Sequence, residues 1–327
     1  MELFTYTRAT DPTQASKAAS APTTRFIAGG TNLLDLMKLD IERPTQLVDI
    51  NHIGLDKVEK LPDGGLRIGA LVRNSDLAHH PLIVADYPAL SQALLAGASA
   101  QLRNMATTSG NLLQRTRCMY FRNTVMPCNK RTPGAGCSAI EGDNRSLAIL
   151  GTSKHCIATN PSDMNVALTA LEAVVHIKGQ NAALDVPISD FFLVPGTTPH
   201  IETVLAPGDL ITHITLPAPR PHNKQIYLKL RDRASYEFAL VSAAIVAQVN
   251  DGKVTFIRVA LGGVGTKPWR SHEAEAALLH HPATTASFHR AAASALLNAH
   301  PQSENGFKIE LTRRCLTHAL TTAILTT

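Results

Sequence analysis

Four of the five cysteines of this chain lie in one short stretch, and thiols at that density indicate a bound group. They are Cys118, Cys128, Cys137 and Cys156, separated by gaps of nine, eight and eighteen residues. Structural zinc sites usually place paired ligands only about two to four residues apart. Four thiolates suffice for a [4Fe–4S] cluster, and wide spacing lets one loop surround a large cofactor. The spacing favours an iron–sulfur cluster, while zinc, disulfide bonds and unbound thiols remain open alternatives.

The cysteine stretch is also basic and irregular. Five basic residues and no acidic one occupy its first half: Arg115, Arg117, Arg122, Lys130 and Arg131. These charges would offset the negative charge of a thiolate-bound cluster, or they form only a solvated loop. Four prolines and glycines forbid regular structure here: Pro127, Pro133, Gly134 and Gly136. A long irregular loop inside a compact domain is usually functional or disordered.

Composition limits the class of protein. With 327 residues, 44% hydrophobic and 17% charged, the chain is long enough for two domains of an ordinary soluble protein. The net charge of +5 is scattered and no basic stripe alternates with aromatic residues, so nucleic-acid binding is not expected. No apolar run reaches membrane-spanning length, and the N-terminus lacks the pattern of a signal peptide. Membrane insertion is not expected either.

Two small-residue segments could hold phosphate groups. Residues 28–32 lie between a predicted buried strand and a helix, where successive backbone N–H groups can form an anion-binding nest. Thr31 or Asn32 is predicted to cap that helix. Residues 107–111 are predicted to be a second, hydroxyl-rich loop. Two such loops in one domain suit a diphosphate held from both sides, as a dinucleotide cofactor requires.

Apolar periodicity predicts the elements that position these loops. Strands near 25–28 and 46–50 flank a helix and form a strand–helix–strand unit. Further strands are predicted at 66–70, 173–177 and 210–216, with helices at 74–79, at 88–97 and after Ser162. The proline cluster 217–221 is the predicted domain boundary. Strands near 225–230, 238–249 and 254–262 and two or three final helices predict an antiparallel α+β unit.

Taken together, these segments resemble the FAD-binding subunits of the molybdenum hydroxylases, the xanthine dehydrogenase and carbon monoxide dehydrogenase family. The resemblance lies in residues 28–32, 102–104, 106–111, 161–163 and 207–211, in Lys229 with Arg233, and in residues 238–241. It implies an α+β chain with a two-subdomain FAD-binding fold of the vanillyl-alcohol-oxidase (PCMH) type at 1–220, divided into about 1–55 and 56–220. A small α+β C-terminal domain with an antiparallel sheet would follow at 221–327.

The cysteine loop, residues 112–160, narrows the resemblance within the family. Flavin subunits with an extra [4Fe–4S] cluster in this region belong to bacterial periplasmic aldehyde oxidoreductases and to 4-hydroxybenzoyl-CoA reductases. Residues 111–118 and 128–131 are most similar to the aldehyde enzymes. The resemblance therefore implies that the cluster is held by Cys118, Cys128, Cys137 and Cys156.

The resemblance also implies which residues bind FAD, without a covalent bond. They are Ala28, Gly29, Gly30, Thr31, Asn32, Leu33, Thr107, Thr108, Gly110, Asn111, Asp163, Ile211 and Lys229. Asp163 would accept a hydrogen bond from the ribose or adenine side, and Ile211 would pack near the flavin or the adenine. Lys229 would approach the dione edge of the flavin, where a cation stabilises the reduced ring. Arg233 and Tyr236 are weaker candidates, and no residue is predicted to be catalytic.

The implied function is electron transfer inside a larger oxidoreductase. The partners would be a large subunit with the molybdopterin cofactor and a small subunit with two [2Fe–2S] clusters, in a heterotrimer. Electrons would pass from an aldehyde through those centres to FAD and an external electron acceptor. The complex would reach the periplasm by co-export with a partner that carries a twin-arginine signal, with a cytoplasmic complex as the alternative. A stand-alone flavin oxidoreductase and a zinc-stabilised binding module remain the rival classes.

Overall fold

Three β-sheets covered by helices form the framework of the chain in a computed structural model that describes residues 1–180 and 182–326. The first unit contains β1 (Thr5–Arg8), α1 (Pro12–Ala18), β2 (Thr24–Ile27), α2 (Leu33–Lys38) and β3 (Gln46–Asp49). Its strands run parallel in the order β1-β3-β2. The predicted strand–helix–strand unit is confirmed, and it places the segment after β2 at the start of α2.

The second unit is an antiparallel sheet covered by short helices. Before the cysteine loop it contains β4 (Val58–Lys60), β5 (Leu66–Gly69), α3 (Asn74–His79), α4 (Pro81–Asp86), α5 (Pro88–Ala96), α6 (Ala100–Met105) and α7 (Thr108–Leu112). The loop itself carries the one-turn helix α8 (Met119–Arg122). After the loop come α9 (Asp163–Ala170), β6 (Val174–Lys178), β7 (Ala183–Pro187), α10 (Ile188–Phe191) and β8 (Leu210–Leu216). The strand order is β4-β5-β8-β6-β7, so β8 is the central strand.

The C-terminal unit is a four-stranded antiparallel sheet between two layers of helices. It contains β9 (Lys224–Leu230), β10 (Val241–Asn250), β11 (Lys253–Gly262), β12 (Trp269–Arg270), α11 (His272–Leu278), α12 (Thr285–Ser294) and α13 (Phe307–Leu325). Its own helices α11 and α13 pack against the sheet, and α5 and α9 of the second unit also pack against it. The predicted α+β architecture is confirmed. In the described residues, 1–180 and 182–326, no helix has both the length and the apolar character needed to cross a bilayer.

Three predictions of local structure are wrong. Residues 107–111 are not a loop, because Thr107 is the N-cap of α7 and its hydroxyl accepts a hydrogen bond from the Gly110 N–H. Asn32 occupies the N-cap position of α2 but makes no side-chain cap bond. The strand predicted from Phe238 begins only at Val241, after a loop in which Tyr236 has a positive φ of 54°.

Candidate functional site

The cysteine loop brings all four of its thiols to the wall of one small cavity. Cys128 and Cys137 are held opposite each other by an antiparallel bridge between their backbones. Cys118 directly precedes α8, and Cys156 lies in a turn that bridges back to Ser153. A donor set of four thiols around a shared space fits a four-iron cluster.

All five cysteines of the chain are free thiols. Within the part of the chain that is described, no three His, Cys, Asp or Glu side chains are grouped tightly enough to hold a single metal ion. Burial raises the pKa of the Cys118 thiol to about 11 and also raises the pKa of the Cys137 and Cys156 thiols. These thiols keep their protons unless a bound metal displaces them.

Three basic residues of the cysteine loop form salt bridges, so the loop is not simply the solvated basic segment that the sequence left open. Arg115 bridges Glu42 and Glu202, at 2.6 Å from each. Lys130 lies 2.8 Å from the second oxygen of Glu202. Burial alone would raise the pKa of Glu202, but the charges of Arg115 and Lys130 outweigh it and hold that pKa below its usual value. Arg122 makes the third pairing, with Asp35 of α2.

The other two basic residues between positions 115 and 131 have no carboxylate partner among the described residues. Arg131 donates to the carbonyl oxygens of Tyr120 and Phe121, at 2.9 and 2.8 Å, and so braces the loop itself. Arg117 donates to Asn32 Oδ1 at 3.1 Å and to a neighbouring backbone carbonyl. Burial, with the nearby charge of Arg122, lowers the pKa of Arg117 to about 10.

The two ends of the cysteine loop meet beside α9. Ser162 Oγ donates to Asn111 Oδ1 at 2.8 Å, and Asn165 Nδ2 donates to the Leu112 carbonyl at 3.1 Å. Residues on either side of a long insertion are therefore hydrogen-bonded to each other.

The segment 28–33 lines a cavity, here called the glycine cavity, together with Thr107 and Gly110. The N–H groups of residues 29–32 donate to no acceptor in residues 1–180 and 182–326. Gly29 is required by close packing, because an added Cβ would lie 1.9 Å from the Met105 carbonyl oxygen. Gly30 has a φ of +73°, which disfavours any other residue. Unpaired N–H groups before a helix are the donors that an anion requires.

The second small-residue segment does not form the predicted nest. Thr108 donates both its N–H and its hydroxyl to the Val72 carbonyl, at 2.9 and 3.1 Å. The Gly110 N–H is taken by Thr107. Thr108 lines neither the glycine cavity nor its neighbour, so the structure does not bring it to the site, whereas Gly110 and Asn111 do contribute wall atoms.

A second, larger cavity, here called the interdomain cavity, shares Thr31, Asn32 and Gly110 with the glycine cavity. Thr31, Asn32 and Asp35 of the first unit face residues of the other two units there: Asn74, Asn111, Arg117, Asp163, Lys229, Arg233 and Tyr236. The Asn74 side chain is 4% exposed, and its Oδ1 has no hydrogen-bond partner among the described residues. Because buried polar atoms are normally paired, this oxygen fits a donor from a bound cofactor.

Asp163 and Lys229 form a buried ion pair on the wall of the interdomain cavity. Lys229 Nζ lies 2.8 Å from Asp163 Oδ2 and 3.1 Å from the Ala96 carbonyl oxygen. The Lys229 side chain is only 4% exposed, which excludes a solvated lysine. The Tyr227 hydroxyl donates to the other oxygen of Asp163. Burial, with the charge of Asp163, raises the pKa of Tyr227 well above its ordinary value.

The sequence interpretation missed Tyr227, Asn74 and Arg117, and it included Ile211, which like Thr108 lies elsewhere. Tyr227 stands two positions before Lys229 on β9, and residues two apart on a strand share a face, so this signal was available. Ile211 is 3% exposed, lies on the central strand β8 in the core of the second unit and lines neither cavity. The structure does not bring Ile211 to the site.

Comparison with known proteins identifies the class of flavoprotein. A family model described as the FAD binding domain in molybdopterin dehydrogenase matches residues 2–219, and one described as the CO dehydrogenase flavoprotein C-terminal domain matches residues 226–326. The predicted PCMH-type fold with this C-terminal domain is confirmed. The chain belongs to the FAD-binding subunits of the molybdenum hydroxylases, so it is an FAD-binding subunit of an oxidoreductase.

Individual relatives agree with this assignment. The chain is 55% identical over 325 residues to the aldehyde oxidoreductase FAD-binding subunit PaoB of Escherichia coli (strain K12), which covers 99% of both chains. It is 28% identical over 83% of its length to the glyceraldehyde dehydrogenase medium chain of Sulfolobus acidocaldarius, covering 79% of that chain. A chain in a structure of carbon monoxide dehydrogenase from Hydrogenophaga pseudoflava superposes with a TM-score of 0.78 at 25% identity, covering 98% of this chain and 97% of that one.

Proposed function

We propose that this chain is the electron-transfer flavoprotein subunit of a molybdenum-dependent aldehyde oxidoreductase and holds a [4Fe–4S] cluster beside its FAD. The observation that carries the cluster is the shared cavity lined by the four thiols of one loop. Arg117, the residue before Cys118, donates to Asn32 of the glycine cavity, which supports a cluster close to the flavin. The aldehyde substrate class rests on the name of the relative with 55% identity.

The residues of the two joined cavities have distinct roles in this proposal. When bound, FAD stores two electrons and releases them singly, which suits exchange with one-electron iron–sulfur centres. The free N–H groups of residues 29–32 bind the diphosphate, with Ala28, Leu33, Thr107, Gly110 and Asn111 forming the adjoining walls. Asp163 holds the Lys229 ammonium in place, where it meets the flavin's developing negative charge. Asp163 also remains the acceptor proposed for the cofactor's ribose or adenine side.

The domain limits proposed from the sequence, at 55/56 and 220/221, fall between secondary-structure elements. The first falls between β3 and β4, and the second lies between β8 and β9. Within the first 220 residues, residues 112–160 act as a metal-binding insertion. The chain therefore combines a flavin fold, a cluster loop and a C-terminal domain that supplies Lys229.

We further propose that the complex is a heterotrimer with a molybdopterin subunit and a subunit that carries two [2Fe–2S] clusters. Relatives are named as medium chains or as subunits, which supports an assembly of several chains. Electrons leave FAD to an external acceptor. Export to the periplasm by a partner's twin-arginine signal is part of this proposal. Fractionation of cells in which that partner's twin arginines are replaced by lysines tests it, because cytoplasmic retention of this chain is then expected.

The decisive experiment is an anaerobic count of iron, acid-labile sulfide and flavin in the purified complex. About eight irons and one FAD are expected, and Cys128→Ser should lower the iron to about four while flavin remains. Cys315→Ser is the matched control, because Cys315 is also buried and free but lies in α13, far from the loop in sequence. Zinc in place of iron, or an iron count that Cys128→Ser leaves unchanged, would remove the cluster from the proposal.

A further inference from the structure

Arg117 differs from the other four basic residues between positions 115 and 131. Three of those residues pair with carboxylates, and Arg131 caps carbonyl oxygens of its own loop. Arg117 has no carboxylate within salt-bridge distance in residues 1–180 and 182–326, and its only side-chain hydrogen-bond partner there is the neutral amide oxygen of Asn32. The carboxylate of Asp35, which is near enough to act on Arg117, is bound by Arg122 instead. A partly buried cation in this position has an unmet requirement for negative charge.

The position of Arg117 indicates where that negative charge belongs. Its guanidinium lines the interdomain cavity, lies 3.1 Å from Asn32 Oδ1 and stacks 5.0 Å from the ring centre of Phe238. Asn32 ends the run of unpaired N–H groups at residues 29–32. Arg117 therefore adds a full positive charge next to these backbone N–H donors.

We propose that Arg117 binds the diphosphate of FAD, so that the cysteine loop contributes to the flavin site as well as holding metal. This assignment rests on the proposed function. A planar guanidinium matches phosphate oxygens in a bidentate arrangement. The diphosphate is anionic in every redox state of the cofactor, whereas the oxidised flavin ring is neutral. The ammonium of Lys229, which also lines the interdomain cavity, is already balanced by Asp163.

The test uses the whole complex after its flavin has been removed, titrated calorimetrically with FAD, ADP and riboflavin. In Arg117→Gln, the affinities for FAD and ADP are expected to fall about tenfold, equivalent to about 1.4 kcal/mol, while the affinity for riboflavin stays unchanged. Arg117→Lys keeps the charge but loses the planar fork, so a fall of about threefold in ADP affinity is expected. Arg145→Gln is the matched control: it removes one positive charge, but Arg145 pairs with Asp232 and does not line the interdomain cavity.

Each outcome separates this assignment from the proposed function. Equal ADP affinity in the wild type and Arg117→Gln overturns the role of Arg117 but leaves FAD binding intact. A fall in riboflavin affinity without a fall in ADP affinity overturns it too, because Arg117 would then serve the flavin ring. A complex that binds none of the three ligands contradicts the proposed function itself. Should Arg117→Gln lose its iron, Arg117→Lys decides alone: a threefold fall for ADP supports the assignment and an unchanged affinity overturns it.

Discussion

The Asp163 carboxylate contacts both Lys229 and Tyr227 where the second unit meets the C-terminal unit. In Asp163→Asn the buried ammonium of Lys229 loses its counter-ion. We expect the free energy of unfolding in urea to fall by about 3 kcal/mol. The double variant Asp163→Asn/Lys229→Met removes both charges and should recover most of that loss. A single variant as stable as the wild type would show that the ion pair has no structural role.

Lys308 makes stability depend on pH. Its ammonium donates to the carbonyl oxygens of Ser146, Leu147 and Gly263, and burial, helped by the charge of Arg145, lowers its pKa to about 7. An unfolded lysine keeps its proton up to about pH 10.4, so between pH 7 and that value the unfolded chain binds more protons than the folded chain. The Lys308 contribution to the free energy of unfolding therefore becomes more favourable as the pH rises through this window.

The variant Lys308→Met isolates this contribution. Urea unfolding of both proteins at pH 7 and pH 9.5 should show the wild type gaining at least about 1 kcal/mol relative to the variant at the higher pH. A difference between the two proteins that does not change with pH would mean that Lys308 stays charged in the folded state throughout.

Salt bridges attach the cysteine loop to the first unit, at Glu42 and Asp35, and to the segment after α10, at Glu202. Glu202→Gln leaves Arg115 with one carboxylate and Lys130 with none. We expect the loop to open more often, so that an iron chelator removes iron about tenfold faster, as the loss of about 1.4 kcal/mol implies. Glu59→Gln is the control, because its pairing with Arg67 is exposed on β4–β5. If the wild type, Glu202→Gln and Glu59→Gln lose iron at the same rate, the salt bridges of Glu202 do not help to retain the cluster.

The sequence predicts an element when the interactions that form it lie close together along the chain. Strands β2 and β3, helix α9 and strands β8 to β11 follow from apolar periodicity, and their existence was predicted. The helical turn at Thr107 was not predicted. Its first N–H groups donate to the carbonyl oxygens of Val72 and of neighbouring backbone, which lie close to it only in the folded chain. The salt bridges of Arg115 span 73 and 87 residues, a distance that no local pattern encodes.

On the scale of the whole molecule, the two regions matched by family models share a hydrophobic core. Tyr227, Ala244 and Val246 of the C-terminal unit belong to the same buried cluster as Leu90 of α5 and Val166 of α9. A fragment of residues 1–220 would expose this apolar surface and would lack Lys229. We expect it to aggregate or to bind a hydrophobic dye, and not to retain FAD. A fragment that is monomeric by size-exclusion chromatography and unfolds cooperatively would contradict a shared core.

The hydrogen bonds that join Asn111 to Ser162 and Leu112 to Asn165 have an evolutionary consequence. An insertion whose two ends already touch can be added to a fold or removed from it with only a short bridge to close the gap. A single event in the gene can therefore gain or lose all of residues 112–160, together with the metal site proposed for them. The flavoprotein scaffold and that proposed site can thus be inherited separately.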